Sequence, residues 1–109
     1  MATKEFPIIP EDVPAVKTEH RTICTALPAP ASVPTLERLR AIEPRSMGGQ
    51  PPIVWDHGHG EYICDAYGNQ WIDFSSGVLV TSSGHGRPEI GEAIAAMAKK
   101  GLFYAYSFP

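Results

Sequence analysis

With 109 residues, 43% hydrophobic and 19% charged, and a formal net charge of -3, the chain amounts to at most one small domain. Nine Lys and Arg stand against twelve Asp and Glu, and no basic run exceeds Lys99-Lys100, so nucleic acid and anionic membrane surfaces are excluded as partners. No apolar stretch approaches the ~18 residues of a membrane span, and Met1–Glu5 lacks the apolar core of a secretory signal, so the expected compartment is the cytoplasm.

Residues 1–52 hold nine of the eleven prolines and no glycine before Gly48. Each proline removes a backbone donor and biases the residue before it toward extended geometry. This half is therefore expected to form an arm, with neither regular sheet nor long helix. Its apolar residues (Phe6, Ile8, Ile9, Val13, Val16, Ile23 and Leu27) indicate an arm laid across another surface. One or two helical turns are expected where Pro34 can take the first helical position. Leu36, Leu39 and Arg40 follow at helical spacing, and Pro44 ends the segment. Cys24 and Cys64 lie far apart without short-spaced partners and read as two free thiols.

Residues 53–109 read as a partial domain with three short strands: Ile53–Asp56, 60–65 and 70–74. The second and third make a hairpin across Ala66–Asn69, where Gly68 or Asn69 supplies the positive φ of a tight loop. Tyr62 and Ile63, and likewise Trp71 and Phe74, put bulky groups on both faces, so the hairpin requires cover on both sides. Val78-Leu79-Val80 reads either as a buried strand or as an extended loop lining a cavity. A helix is expected over 88–100. Pro88 suits its first position, Glu89 and Glu92 its N-terminal dipole, Ile90, Ala93, Ile94 and Met97 one apolar stripe, and Lys99, Lys100 and Gly101 its end. Four aromatics among residues 103–109 make an end expected to be buried by further protein.

The residues themselves assemble no complete catalytic apparatus. His57 and His59 with Cys64 or His85 offer nitrogen and sulfur ligands, but Gly58 and Gly60 mark a turn, and no carboxylate or cysteine recurs at ligand spacing. Exposed turn histidines are expected, and no metal site. Gly84-His85-Gly86-Arg87-Pro88-Glu89 precedes a helix, yet Glu89 stands where a dinucleotide fingerprint needs glycine, and no Gly-Lys-Ser/Thr is present for a P-loop. Ser75, Ser76, Ser82 and Ser83 neighbour His85 without a Gly-x-Ser-x-Gly elbow, so a Ser–His enzyme remains only a competing reading. Lys4, Lys17, Lys99 and Lys100 lie in the arm or at a helix end, where solvation keeps them protonated and unsuited to a Schiff base.

From Pro51 to Pro88 the order is apolar-Trp-Asp, then Gly-x-Tyr-Ile-x-Asp-x-x-Gly-Asn-x-x-Ile-Asp-Phe-Ser-Ser-Gly, then Gly-His-Gly-x-Pro-Glu-Ile. This order resembles the N-terminal segment of class III pyridoxal-phosphate aminotransferases, through Gly60, Tyr62, Asp65, Gly68, Asn69, Ile72, Asp73, Phe74, Ser76, Gly77, Gly84, His85 and Pro88. Thr18–Thr22 and Glu43–Met47 are similar to the 4-aminobutyrate and ω-amino-acid branch. The resemblance implies an α/β architecture of PLP-dependent transferase fold type I, to which this chain contributes the N-terminal arm, a small antiparallel hairpin and the first helix. It also implies a homodimer binding pyridoxal 5'-phosphate, with an amino donor and a 2-oxo acid as small-molecule substrates. Ser76, Gly77, Val78 and Leu79 correspond to the substrate-lining loop, Val78 and Leu79 supplying shape for the donor chain. The region of Tyr104 is placed near the dimer interface and the cofactor phosphate. The family's Schiff-base lysine, its pyridinium-pairing aspartate and its phosphate-binding turn fall beyond Pro109. The chain is therefore expected to be the amino-terminal portion of a longer enzyme and inactive alone, the alternative being a short non-catalytic interaction module derived from one.

Overall fold

A computed structural model describes residues 6–44 and 49–101. Its centre is an antiparallel sheet ordered β1-β2-β5-β4-β3, built from β1 Val16–Lys17, β2 Thr22–Ile23, β3 His57–His59, β4 Tyr62–Cys64 and β5 Gln70–Ile72. Helix α1 spans Val33–Ile42 and helix α2 spans Pro88–Lys99. The fold is thus a small antiparallel sheet with helices. Among the described residues the buried apolar ones are few: Ile23, Ala29, Leu36, Ile63 and Cys64.

The β4–β5 hairpin pairs Tyr62 with Ile72, Ile63 with Trp71 and Cys64 with Gln70. Its loop is closed by Asp65, whose Oδ1 accepts from the amides of Tyr67 and Asn69, each at 2.9 Å. Such a carboxylate-centred turn needs one residue with positive φ. Gly68 supplies it at +91°, leaving Asn69 free for another role.

That role is to clamp the arm. Asn69 is fully buried, and its Nδ2 donates to Thr25 Oγ1 at 2.8 Å and to Asp65 Oδ2 at 2.7 Å. Its Oδ1 accepts from the amide of Cys24 at 2.8 Å and from that of Thr25 at 3.3 Å. Directly before this clamp, Thr22 pairs with Gln70, while β1 and β2 are joined by a turn in which Thr18 N donates to Arg21 O at 2.9 Å. The arm therefore enters the sheet, where the proline density led us to expect no regular sheet. The prolines stop between Pro14 and Pro28, and that window is the one that pairs. Helix α1 is also longer than one or two turns. Pro34 falls in its first turn, Leu36 is buried, and it ends at Glu43, held extended at ψ 145° before Pro44.

The expected strand Ile53–Asp56 is not a strand. Pairing instead begins at His57, which faces Cys64, and runs to His59, which faces Tyr62, with Gly60-Glu61 as the turn. His57 and His59 thus sit on an exposed edge strand and not in a turn. Helix α2 starts at Pro88 with Glu89 in its first turn and Lys99 in its last, and Ile90, Ile94 and Met97 remain exposed on it. Lys4, Arg45–Met47 and the aromatic end from Leu102 lie outside the described residues. Among the described residues no helix is long and apolar enough to cross a membrane.

Candidate functional site

The segment following β5 is fixed at both ends against the β3–β4 turn. Asp73 N donates to Glu61 O at 2.8 Å, while Gly60 and His85 exchange both backbone hydrogen bonds, at 2.9 and 2.7 Å. His85 also meets the indole of Trp55 edge-on, with ring centroids 5.8 Å apart. Between these anchors the chain makes a feature that has no signature in the local sequence. Ser76, Gly77, Val78 and Leu79 have φ of 52°, 58°, 63° and 67°, one left-handed turn. It is closed by Leu79 N donating to Ser75 O at 2.9 Å and Val80 N to Ser76 O at 2.8 Å. The run Val78-Leu79-Val80 is therefore neither a buried strand nor an extended loop. Left-handed backbone costs roughly 1–2 kcal/mol per non-glycine residue, and β-branched Val78 is especially unsuited to it.

Asp73 offsets that cost. Its side chain is 4% exposed and uses both oxygens. Oδ1 accepts from Ser75 N at 3.0 Å and Ser75 Oγ at 2.6 Å, and Oδ2 accepts from Gly77 N at 2.7 Å and His85 Nε2 at 2.7 Å. Ser76 Oγ and Thr81 Oγ1, 3.0 Å apart, fasten the opposite side. The turn separates two clefts, both bordered by Asp73. One, of about 430 Å³, is polar and lined by Glu61, Ser76, Thr81, Ser83, His85 and Arg87. The other, of about 540 Å³, is apolar and lined by Trp55, Ile63, Trp71, Phe74 and Val78. Val78 and Leu79 are 71% and 88% exposed, so their side chains are presented rather than packed.

The Ser75 hydroxyl is the largest influence on Asp73. Burial opposes it, while His85 and the amides of Gly77 and Ser75 reinforce it, and the carboxyl is held down at about 2 against an ordinary 3.8. Because the folded value lies below the unfolded one, the carboxylate's stabilisation is complete above about pH 4 and is lost as pH falls toward 2. Tryptophan fluorescence is expected to report this opening through Trp55 beside His85, with Asp73→Asn showing the opened signal already at neutral pH. Elsewhere, burial, aided by Asp65 and Asp56, pushes the Cys64 thiol up, which leaves it an unreactive core group. Among the described residues no three His, Cys, Asp or Glu side chains converge on a common metal position.

The structure thus gathers Ser76, Gly77, Val78 and Leu79 into a single turn, and it adds Asp73 and His85 as that turn's supports. Both appear among the residues that carry the family resemblance, but no local motif reveals that they pair across twelve positions.

No family model matches the chain. It is 35% identical over 78 residues to the 4-aminobutyrate aminotransferase of Mycobacterium leprae (strain TN). The matched stretch is 72% of this chain and 18% of that enzyme, so the chain spans less than a fifth of that relative's length. Over that stretch the relationship is to an aminotransferase.

Proposed function

We propose that this chain is the N-terminal portion of a class III, pyridoxal-phosphate-dependent aminotransferase. The enzyme would act in the cytoplasm as a homodimer and move an amino group from an ω-amino acid or amine, 4-aminobutyrate among them, to a 2-oxo acid. The observation that carries this reading is the 78-residue likeness to a 4-aminobutyrate aminotransferase. The residues described here do not fit the cofactor's anchor: Lys17, Lys99 and Lys100 are all exposed, and a Schiff-base lysine must be desolvated. No chemical step is therefore assigned to this chain. Its contribution is shape, with residues 1–52 as the arm, 53–109 as the partial catalytic domain, and Ser76, Gly77, Val78 and Leu79 as the surface that meets the donor chain.

The test is to purify the natural protein carrying this segment, weigh it, and measure amino transfer from 4-aminobutyrate to 2-oxoglutarate. A mass several times that of 109 residues together with transfer supports the proposal. A mass matching 109 residues and no transfer would leave an interaction module. In the active protein, Leu79→Trp is expected to lower kcat/KM for bulkier amines by about tenfold or more relative to 4-aminobutyrate, with the cofactor's absorbance unchanged. Loss of that absorbance would mean that the turn serves the cofactor and not the donor.

A further inference from the structure

We infer that Asp73 and His85 are positioning residues that hold the Ser76–Leu79 turn in its left-handed form and thereby set which amino donors the site admits. The donor-selecting part rests on the aminotransferase reading; the conformational part does not. Every polar atom of the Asp73 carboxylate is committed to this segment, two bonds reaching Ser75 and one the Gly77 amide at the turn's second residue. The fourth bond comes from His85, whose side chain is 15% exposed and whose backbone is paired with Gly60 in both directions. His85 is further confined because Gly58 faces it so closely that a Cβ there would stand 2.9 Å from His85 Cβ. The ring has one place to be, and the carboxylate is aimed by it.

Asp73 and His85 are thus the link between the rigid β3–β4 hairpin and a turn whose own backbone favours relaxation. If the link is cut, the turn loses its fixed path beside the two clefts, and with it the placement of Val78 on the apolar cleft and of the exposed Leu79 next to it. A donor chain measured against them would then be measured less strictly. Neither residue need touch the substrate for this.

In the natural protein carrying this segment, His85→Leu is expected to speed hydrogen exchange at the amides of Leu79 and Val80 by about tenfold, the loss of one charge-assisted hydrogen bond. It should also lower the preference for 4-aminobutyrate over a longer ω-amine by about tenfold, through KM and not kcat. His85→Gln, whose amide can donate to Asp73 in the place of Nε2, should restore both. Should His85→Leu fail to fold, Asp73→Asn, which keeps the shape and replaces one acceptor oxygen with a donor, carries the same two expectations. Unchanged exchange at Leu79 and Val80 in whichever variant folds overturns the positioning role. Faster exchange with every donor slowed equally overturns the selection role. If the wild-type protein transfers no amino group at all, the functional reading fails, while the exchange comparison still decides the conformational claim.

Discussion

Replacing Asn69 by leucine is expected to free the arm from the hairpin and to destabilise the protein by about 3 kcal/mol. The two side chains branch at Cγ with the same number of heavy atoms, so the loss is mainly polar. Leucine leaves Asp65 Oδ2, in a residue 5% exposed, without its Asn69 donor, and takes the acceptor from the part-buried amide of Cys24, at a position that is itself 0% exposed. Buried polar groups deprived of partners cost more than the bonds they made contributed. Urea denaturation measures the loss, and trypsin cleavage after the exposed Arg21 at the start of β2 measures the release of the arm. Asn69→Asp separates the parts of the clamp. It keeps Oδ1 but sets a second carboxylate against Asp65 Oδ2, now 2.7 Å away, so it should be nearly as damaging at neutral pH and milder once the pair shares a proton. If Asn69→Leu were as stable as wild type, with Arg21 still protected, the arm would have to be held by β2 alone.

Gly86→Ala is expected to cost about 2–4 kcal/mol. Its φ is +65°, and a Cβ there would stand 2.6 Å from the backbone oxygen of Gly58, an atom of β3 that cannot swing aside as a side chain can. The collision pushes the 85–87 segment off the sheet edge and breaks the Gly60–His85 pairing, so the Asp73–His85 contact goes with it. Gly91→Ala supplies the contrast. It lies inside α2 with nothing within 4 Å of its missing Cβ, and alanine there should stabilise by roughly 0.5–1 kcal/mol through helix propensity. Thermal melts of the two variants shifted in the same direction would contradict this geometry.

The β4–β5 hairpin and α2 are legible in the sequence because each is specified locally, by Gly68 and Asn69 in one case and by Pro88, the Glu-to-Lys polarity and Gly101 in the other. What local reading misses is set by partners distant in sequence. Ile53–Asp56 has the composition of a strand, yet Asp56 N merely extends the ladder to Cys64 O, at 2.8 Å, and the paired residues are the less strand-like His57–His59. Gly58 looks like a turn residue, but its missing side chain is what lets His85 approach. The arm's strands are two residues long and have no signature apart from Gln70 and Asn69, which receive them. At the candidate site, Ser76–Leu79 can be singled out only through the family resemblance. Their left-handed form depends on a carboxylate and an imidazole whose pairing is tertiary.

The pairing of Thr22 with Gln70 also imposes an order of events on a growing chain. The arm is synthesised about fifty residues before the strand that receives it, an interval of roughly 2–10 s at synthesis rates of ~5–20 residues per second. Throughout that time β1 and β2 have only each other, and the far edge of β2 has no partner. When β5 does emerge, its outer edge offers the same unpaired backbone groups to any arm within reach. The arm of a neighbouring nascent copy meets that requirement as well as the chain's own, so crowded synthesis favours exchange of arms between copies, and dilution favours each copy closing on itself.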